Sequence, residues 1–210
     1  MNNNNYNSKV HLVGSIPLGS AEEVFQIVGE ELSGYCNRIP DGETGERRNW
    51  IGWQINVFNN QEGLMKIENK ERAYQLHPPY TFTPGFGVKD LDFSDLGFAR
   101  EAIISFSKFS DQQRDGVLPE NARFMVALPT PFAPVYSFIS YNDQGSVLPI
   151  YEAAILNELY QITEAIPHEK LTIQWDVATE MSIFENVYGT KIGNEWEFLI
   201  NQLIRLGDNV

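Results

Sequence analysis

Apolar and polar positions alternate along the chain in two periods, and the switches between them mark out strand–helix units. Val10–Ile16 (VHLVGSI) has the pattern of a strand, bounded by Pro17 and Gly19. Ser20 and Glu23 then form a capping box, and Val24, Phe25, Val28 and Leu32 follow at helical spacing until Gly34. A second strand over Asn37–Pro40 leads into the loop Asp41-Gly42-Glu43-Thr44-Gly45, and Trp50, Ile51, Gln54 and Phe58 predict a helix. Residues 60–93 read as an irregular insertion, broken by Pro78-Pro79 and Pro84-Gly85, with a short hairpin around Tyr80–Phe82. Ser94 or Asp95 is placed to cap a helix carrying Leu96, Ala99, Ile103 and Phe106.

A third strand covers Phe124–Leu128 and ends in Pro129-Thr130-Pro131. The longest helix, about Leu148–Ile166, sets Ile150, Ala154, Ile155, Leu159 and Ile162 on one face. A fourth strand, Leu171–Trp175, ends at Asp176. The last helix starts from an Asn194 cap, has Glu197 at the capping-box position, and continues through Phe198, Leu199, Leu203 and Leu206. Residues 1–9 form an Asn-rich polar tract and are expected to be a disordered tail.

Strands alternating with helices argue for an α/β fold with a parallel sheet and right-handed crossovers. Polar residues gather where strands end, at Gly14-Ser15, Asp41 to Glu43, Thr130 and Asp176, which is where such folds build their sites. About four strand–helix units can be counted, whereas a closed (β/α)₈ barrel of the TIM type needs eight. Residues 10–210 are therefore expected to form the amino-terminal half of such a barrel, with no linker dividing it.

Composition narrows the partners. The formal charge of −13 disfavours nucleic acid and anionic membrane surfaces. One cysteine, Cys36, rules out an intrachain disulfide and fits a reducing cytosol. Neither a secretory signal nor an apolar run near the ~20 residues of a membrane helix is found, so a cytoplasmic location is expected.

Each candidate group has a bland reading beside the functional one. Gly14-Ser15 is either a plain strand-ending turn or a place where backbone and a hydroxyl meet a ligand. Asp41 and Glu43 are either helix-capping acids or binders of an ammonium or metal, with Arg47 and Arg48 beyond them. Asp176, with Trp175 before it and Glu180 four residues on, either braces a loop or faces a ligand. Pro129-Thr130-Pro131 is either a rigid turn or part of a site. His11 reads as a packed or surface histidine. Cys36 and the three histidines are far apart in sequence, which gives no zinc signal. Phosphate-loop, dinucleotide, nucleophile-elbow and HExxH motifs are absent.

These pieces occur in a suggestive order. His11-Leu12-Val13-Gly14-Ser15-Ile16-Pro17 is similar to the I-G-S-F-P strand that opens the catalytic barrel of cobalamin-independent methionine synthase. Asp41-Gly42-Glu43-Thr44-Gly45-Glu46-Arg47 resembles that family's H-G-E-x-E-R segment, and Thr172-Ile173-Gln174-Trp175-Asp176 its I-Q-I-D-E-P strand. The wider grouping includes uroporphyrinogen decarboxylase, and the chain looks most like uncharacterised methionine-synthase-like proteins. The resemblance implies that Ser15 binds the carboxylate of an amino-acid-like thiol such as homocysteine, while Glu43 and Asp176 face its ammonium. Two departures stand out: Val177 and Ala178 replace the family's Glu-Pro, and the zinc-binding H-x-C motif is not in the chain.

The expectation is thus a homologue of zinc-dependent thiol methyltransferases, with zinc belonging to a full-length relative, no cofactor in this chain and no turnover by it alone. A non-catalytic half-barrel that self-associates through exposed sheet edges is the alternative. A porphyrin-type decarboxylase using Arg47 and Arg48 ranks below both.

Overall fold

The computed structural model describes residues 9–67, 79–187 and 195–210. It is a mixed α/β structure with a small parallel sheet. In chain order the elements are α1 (Ala21–Glu31), β1 (Arg38–Pro40), α2 (Ile55–Asn59), β2 (Leu64–Lys66), β3 (Tyr80–Phe82) and α3 (Phe98–Arg114). They continue with β4 (Arg123–Pro129), α4 (Phe132–Phe138), α5 (Tyr141–Ala165), β5 (Leu171–Asp176), α6 (Ala178–Phe184) and α7 (Glu195–Asp208). The main sheet has the order β1-β4-β5, with β1 parallel to β4 and Ile39 opposite Phe124; β2 and β3 form a separate antiparallel pair.

Two compact units divide these elements. The first comprises Met1–Trp50, Arg100–Ala127 and Ile162–Gln174. Its core is aromatic: Phe25 meets the edges of Phe109 and Phe124 at 5.5 and 6.2 Å, and Phe106 packs on both of the latter. Phe25, Phe109 and Phe124 are fully buried, and such edge-to-face pairs add to the gain from burial itself. α1 presents Val24, Phe25 and Val28 to this core, and the Ser20 hydroxyl accepts from the Glu23 N–H as the capping box predicts.

The second unit comprises Ile51–Ala99, Leu128–Gln161 and Trp175–Val210. Phe58 lies at its centre, stacked on Tyr151 and Tyr80 and touching Phe93 and Phe138. Gln54 ties this cluster down: it accepts from the Tyr151 hydroxyl at 2.9 Å and donates to the Leu96 carbonyl at 2.9 Å.

Several expectations need correction. Val10–Ile16 is not a strand: of its backbone N–H groups, Val10 bonds to the Tyr35 carbonyl and Ile16 to the Gly42 carbonyl, with no continuous ladder between. Alternating apolar residues suggest a strand, but Val13 remains exposed and backbone pairing holds the segment only at Val10 and Ile16. The helix drawn through Trp50, Ile51, Gln54 and Phe58 is broken. Trp50 has a positive φ of 46°, a 3-10 turn covers Gly52–Gln54, and α2 begins only at Ile55. The helix expected after Ser94 or Asp95 starts at Phe98, where the distant Glu158 accepts from the N–H groups of Leu96, Gly97 and Ala99. Leu96 therefore precedes the helix.

The longest helix starts at Tyr141, well before Leu148, and holds Pro149 in its interior. Proline removes one helical N–H, yet the helix runs through because Val147, Leu148 and Tyr151 are buried on either side. The insertion at 60–93 contains a real strand pair, but Tyr80–Phe82 pairs with Leu64–Lys66 rather than with an adjacent segment. The short helices α4 and α6 carried no periodic signal over their seven residues each. Most of the expected tail and the Asn194 cap lie outside the described residues; the helix after that cap is α7.

Candidate functional site

Segment 10–16 is bonded at Val10 to the Tyr35 carbonyl and at Ile16 to the Gly42 carbonyl, and Gly14-Ser15 meets the loop after β1. There the Ser15 hydroxyl donates to Oε2 of Glu43. A methyl group added at Gly14 would stand 3.5 Å from the same carboxylate, so the Gly14 backbone lies directly against it. Ser15 is exposed and Glu43 half-buried.

Glu43 is held in an unusual shape. Its φ is +47°, the left-handed region that side chains with a Cβ avoid at a cost of roughly 1–2 kcal/mol. Gly42 before it has φ +77°, and a Cβ there would come within 2.7 Å of Val24 Cγ2. The brace is Asp41. This buried acid accepts from the Glu43 N–H at 2.9 Å, from Arg47 Nη2 at 2.7 Å and from the Ser105 hydroxyl at 2.6 Å. Arg47 also reaches Glu101 at 3.6 Å, and Arg48 donates to the Leu18 carbonyl at 3.0 Å. Asp41 and Arg47 therefore act on one another to shape the loop that presents Glu43.

A further contact pins the same segment from another strand. Gln174 of β5 donates to the Val13 carbonyl at 2.5 Å, and its side-chain oxygen lies 2.8 Å from His11 Nε2. Reading by motif passed over Gln174 and Ser105. Ser105 had a signal available: it is a hydroxyl at a buried position of α3, on the face shared with Ala102 and Phe109.

In the second unit the strand ends carry different chemistry. Thr130, immediately after β4, is fully buried and donates its hydroxyl to Oε1 of Glu180 in α6. Glu180 is buried too, and Oε2 has no hydrogen-bond partner among the described residues. Burial pushes the Glu180 carboxyl above its ordinary value, an effect that the Thr130 hydrogen bond only partly opposes. Trp175 and Asp176 close β5, both half-buried; the Trp175 indole N–H is itself buried without a partner among the described residues.

The structure thus joins Gly14, Ser15 and Glu43 in one place, with Asp41 and Arg47 bracing them. It joins Thr130 to Glu180 in another. Among the described residues, no three His, Cys, Asp or Glu side chains converge as a metal site would require. No helix among them is long and apolar enough to cross a membrane. Compared with known proteins, the chain matches no family model, no curated protein and no solved structure.

Proposed function

We propose that the chain is a methionine-synthase-like protein, built on part of a (β/α) barrel, whose first unit holds the polar end of an amino-acid-like ligand at Ser15 and Glu43. One observation carries this reading. Two residues 28 positions apart, each within a segment that resembles a motif of that family, meet through their side chains where a strand gives way to a loop. A carboxylate beside a hydroxyl and a backbone N–H suits a ligand that carries both an ammonium and a carboxylate. The strain at Glu43 and the Asp41 brace support it further, since backbone strain concentrates at functional sites.

Zinc, which the resemblance implies for thiol activation, finds no fitting donor set among the described residues. The Cys36 thiol is buried against the Arg38 carbonyl, and His11 is bonded to Gln174. The activity proposed for this chain is ligand binding, without methyl transfer.

Titration calorimetry with L-homocysteine tests the site: Ser15→Ala and Glu43→Gln should each weaken binding about tenfold, the effect of one charge-assisted hydrogen bond. Equal affinity in wild type and both variants would remove the site. Methyl transfer by the chain supplied with stoichiometric zinc would sink the inactive reading.

Self-association through a sheet edge is the second reading, and the terminal place of β5 in the main sheet favours it. Light scattering that finds a monomer at every concentration would count against it. The decarboxylase reading gains nothing, because Arg47 and Arg48 are directed at groups of the chain itself.

A further inference from the structure

Among the described residues, Glu180 is a buried acid with one carboxylate oxygen, Oε2, left without a hydrogen-bond partner. Its residue is 2% exposed, its neighbour Thr130 is 0% exposed, and the Thr130 hydroxyl donates to Oε1 while Oε2 has no partner among the described residues. A carboxylate has room for about four hydrogen bonds, and buried polar groups in native proteins are rarely left short. The position is built rather than accidental. Thr130 sits between Pro129 and Pro131, its carbonyl accepts from the Ala133 N–H at 3.1 Å to start α4, and α4 packs on α6, which carries Glu180. Five residues before Glu180 in the same unit, the Trp175 indole N–H is also buried and unbonded among the described residues. An acceptor and a donor are thus both unfilled over residues 175–180, where β5 ends and α6 begins.

We infer that Glu180, seated on Thr130 at the carboxyl end of β4, receives the ammonium group of a small organic cation. This site is separate from the Ser15–Glu43 pair and does not depend on it. A primary ammonium supplies the N–H donors that Oε2 lacks, and the net charge of −13 draws cations toward the protein. Before loading, burial favours the neutral carboxyl, since an ionised carboxylate with one oxygen unbonded is poorly compensated. Loading therefore converts a carboxyl and an ammonium into an ion pair and releases one proton to solvent.

The probe is methylammonium, with tetramethylammonium as a cation of similar chemistry that has no N–H. In wild type, methylammonium should raise the melting temperature with dose and release up to one proton, read as the dependence of the calorimetric heat on the buffer's ionisation enthalpy. Glu180→Gln should abolish both effects, and Thr130→Val should weaken them. An infrared difference spectrum of wild type gives a readout that needs no variant: the protonated-carboxyl band should fall as methylammonium is added. An equal response in Glu180→Gln, an equal response to tetramethylammonium, or an unchanged carboxyl band would each overturn the assignment.

Discussion

Two buried acids of the second unit, Glu158 and Glu180, are each 2% exposed and have opposite surroundings. Glu158 reaches from α5 to the start of α3, where it accepts from the N–H groups of Leu96 at 2.7 Å, Gly97 at 3.2 Å and Ala99 at 2.5 Å. Those N–H groups sit at a helix start, where no backbone acceptor is in reach, so a carboxylate both satisfies them and meets the positive end of the helix dipole. Glu180 accepts from the Thr130 hydroxyl on Oε1, and its Oε2 has no partner among the described residues. The first acid completes the fold. The second is tolerated by it, and equal burial therefore says nothing about equal purpose.

The contrast can be broken most forcefully at Glu158. Glu158→Ala should cost about 3–5 kcal/mol in urea denaturation, because three buried N–H groups lose their acceptor together. A loss below about 1 kcal/mol would show that the α3 start is satisfied in some other way. Glu158→Gln, which keeps one good acceptor oxygen, should fall between wild type and Ala.

At Glu180 the expected change is smaller and depends on pH. Its carboxyl value is raised on folding, so the folded state holds its proton after the unfolded chain has lost it. Stability is then unaffected below about pH 4.5 and declines as pH rises above it. Glu180→Gln removes this decline: the variant should match wild type at pH 4 and exceed it at pH 8. Parallel stability profiles for the two proteins would mean that Glu180 ionises as an ordinary carboxyl.

The smallest effect belongs to a third acid of this unit. Burial pulls the Glu152 carboxyl upward, but hydrogen bonds from Arg205, at 2.7 and 3.0 Å, and from Gln202 outweigh it and hold it below its ordinary value. Its stabilisation is present above about pH 4.5 and is lost as pH falls, the reverse of Glu180. Arg205 is 47% exposed, so solvent screens the pair, and Arg205→Ala should cost only about 0.5 kcal/mol, less in high salt.

The regular elements with a strong local signal were legible in the sequence. α1 is capped by Ser20 as its capping box predicts, and β4 and β5 lie within a residue of the strands read from FMVAL and LTIQW. Elements whose ends depend on distant partners were not. The α3 start waits for Glu158, about sixty residues later in the chain, and no reading of Ser94 or Asp95 reveals that. The start of α5 at Tyr141 was not legible either: Pro149 lies inside the helix, and buried neighbours carry it through. The candidate residues were legible as types at strand ends. That Ser15 touches Glu43 was not, nor that Asp41 faces Ser105.

Local chemistry thus determined the alternation of strands and helices, the acidic surface, the cap of α1 and the polar residues waiting at strand ends. Those features need only neighbours a few residues away. Tertiary structure alone decided which acids are satisfied: Asp41 by Arg47 and Ser105, Glu158 by three backbone N–H groups, Glu180 by the Thr130 hydroxyl on Oε1. Each of those partners lies from six to more than sixty residues away in the chain, and a carboxylate's worth depends on the donors brought to it rather than on its place in the sequence.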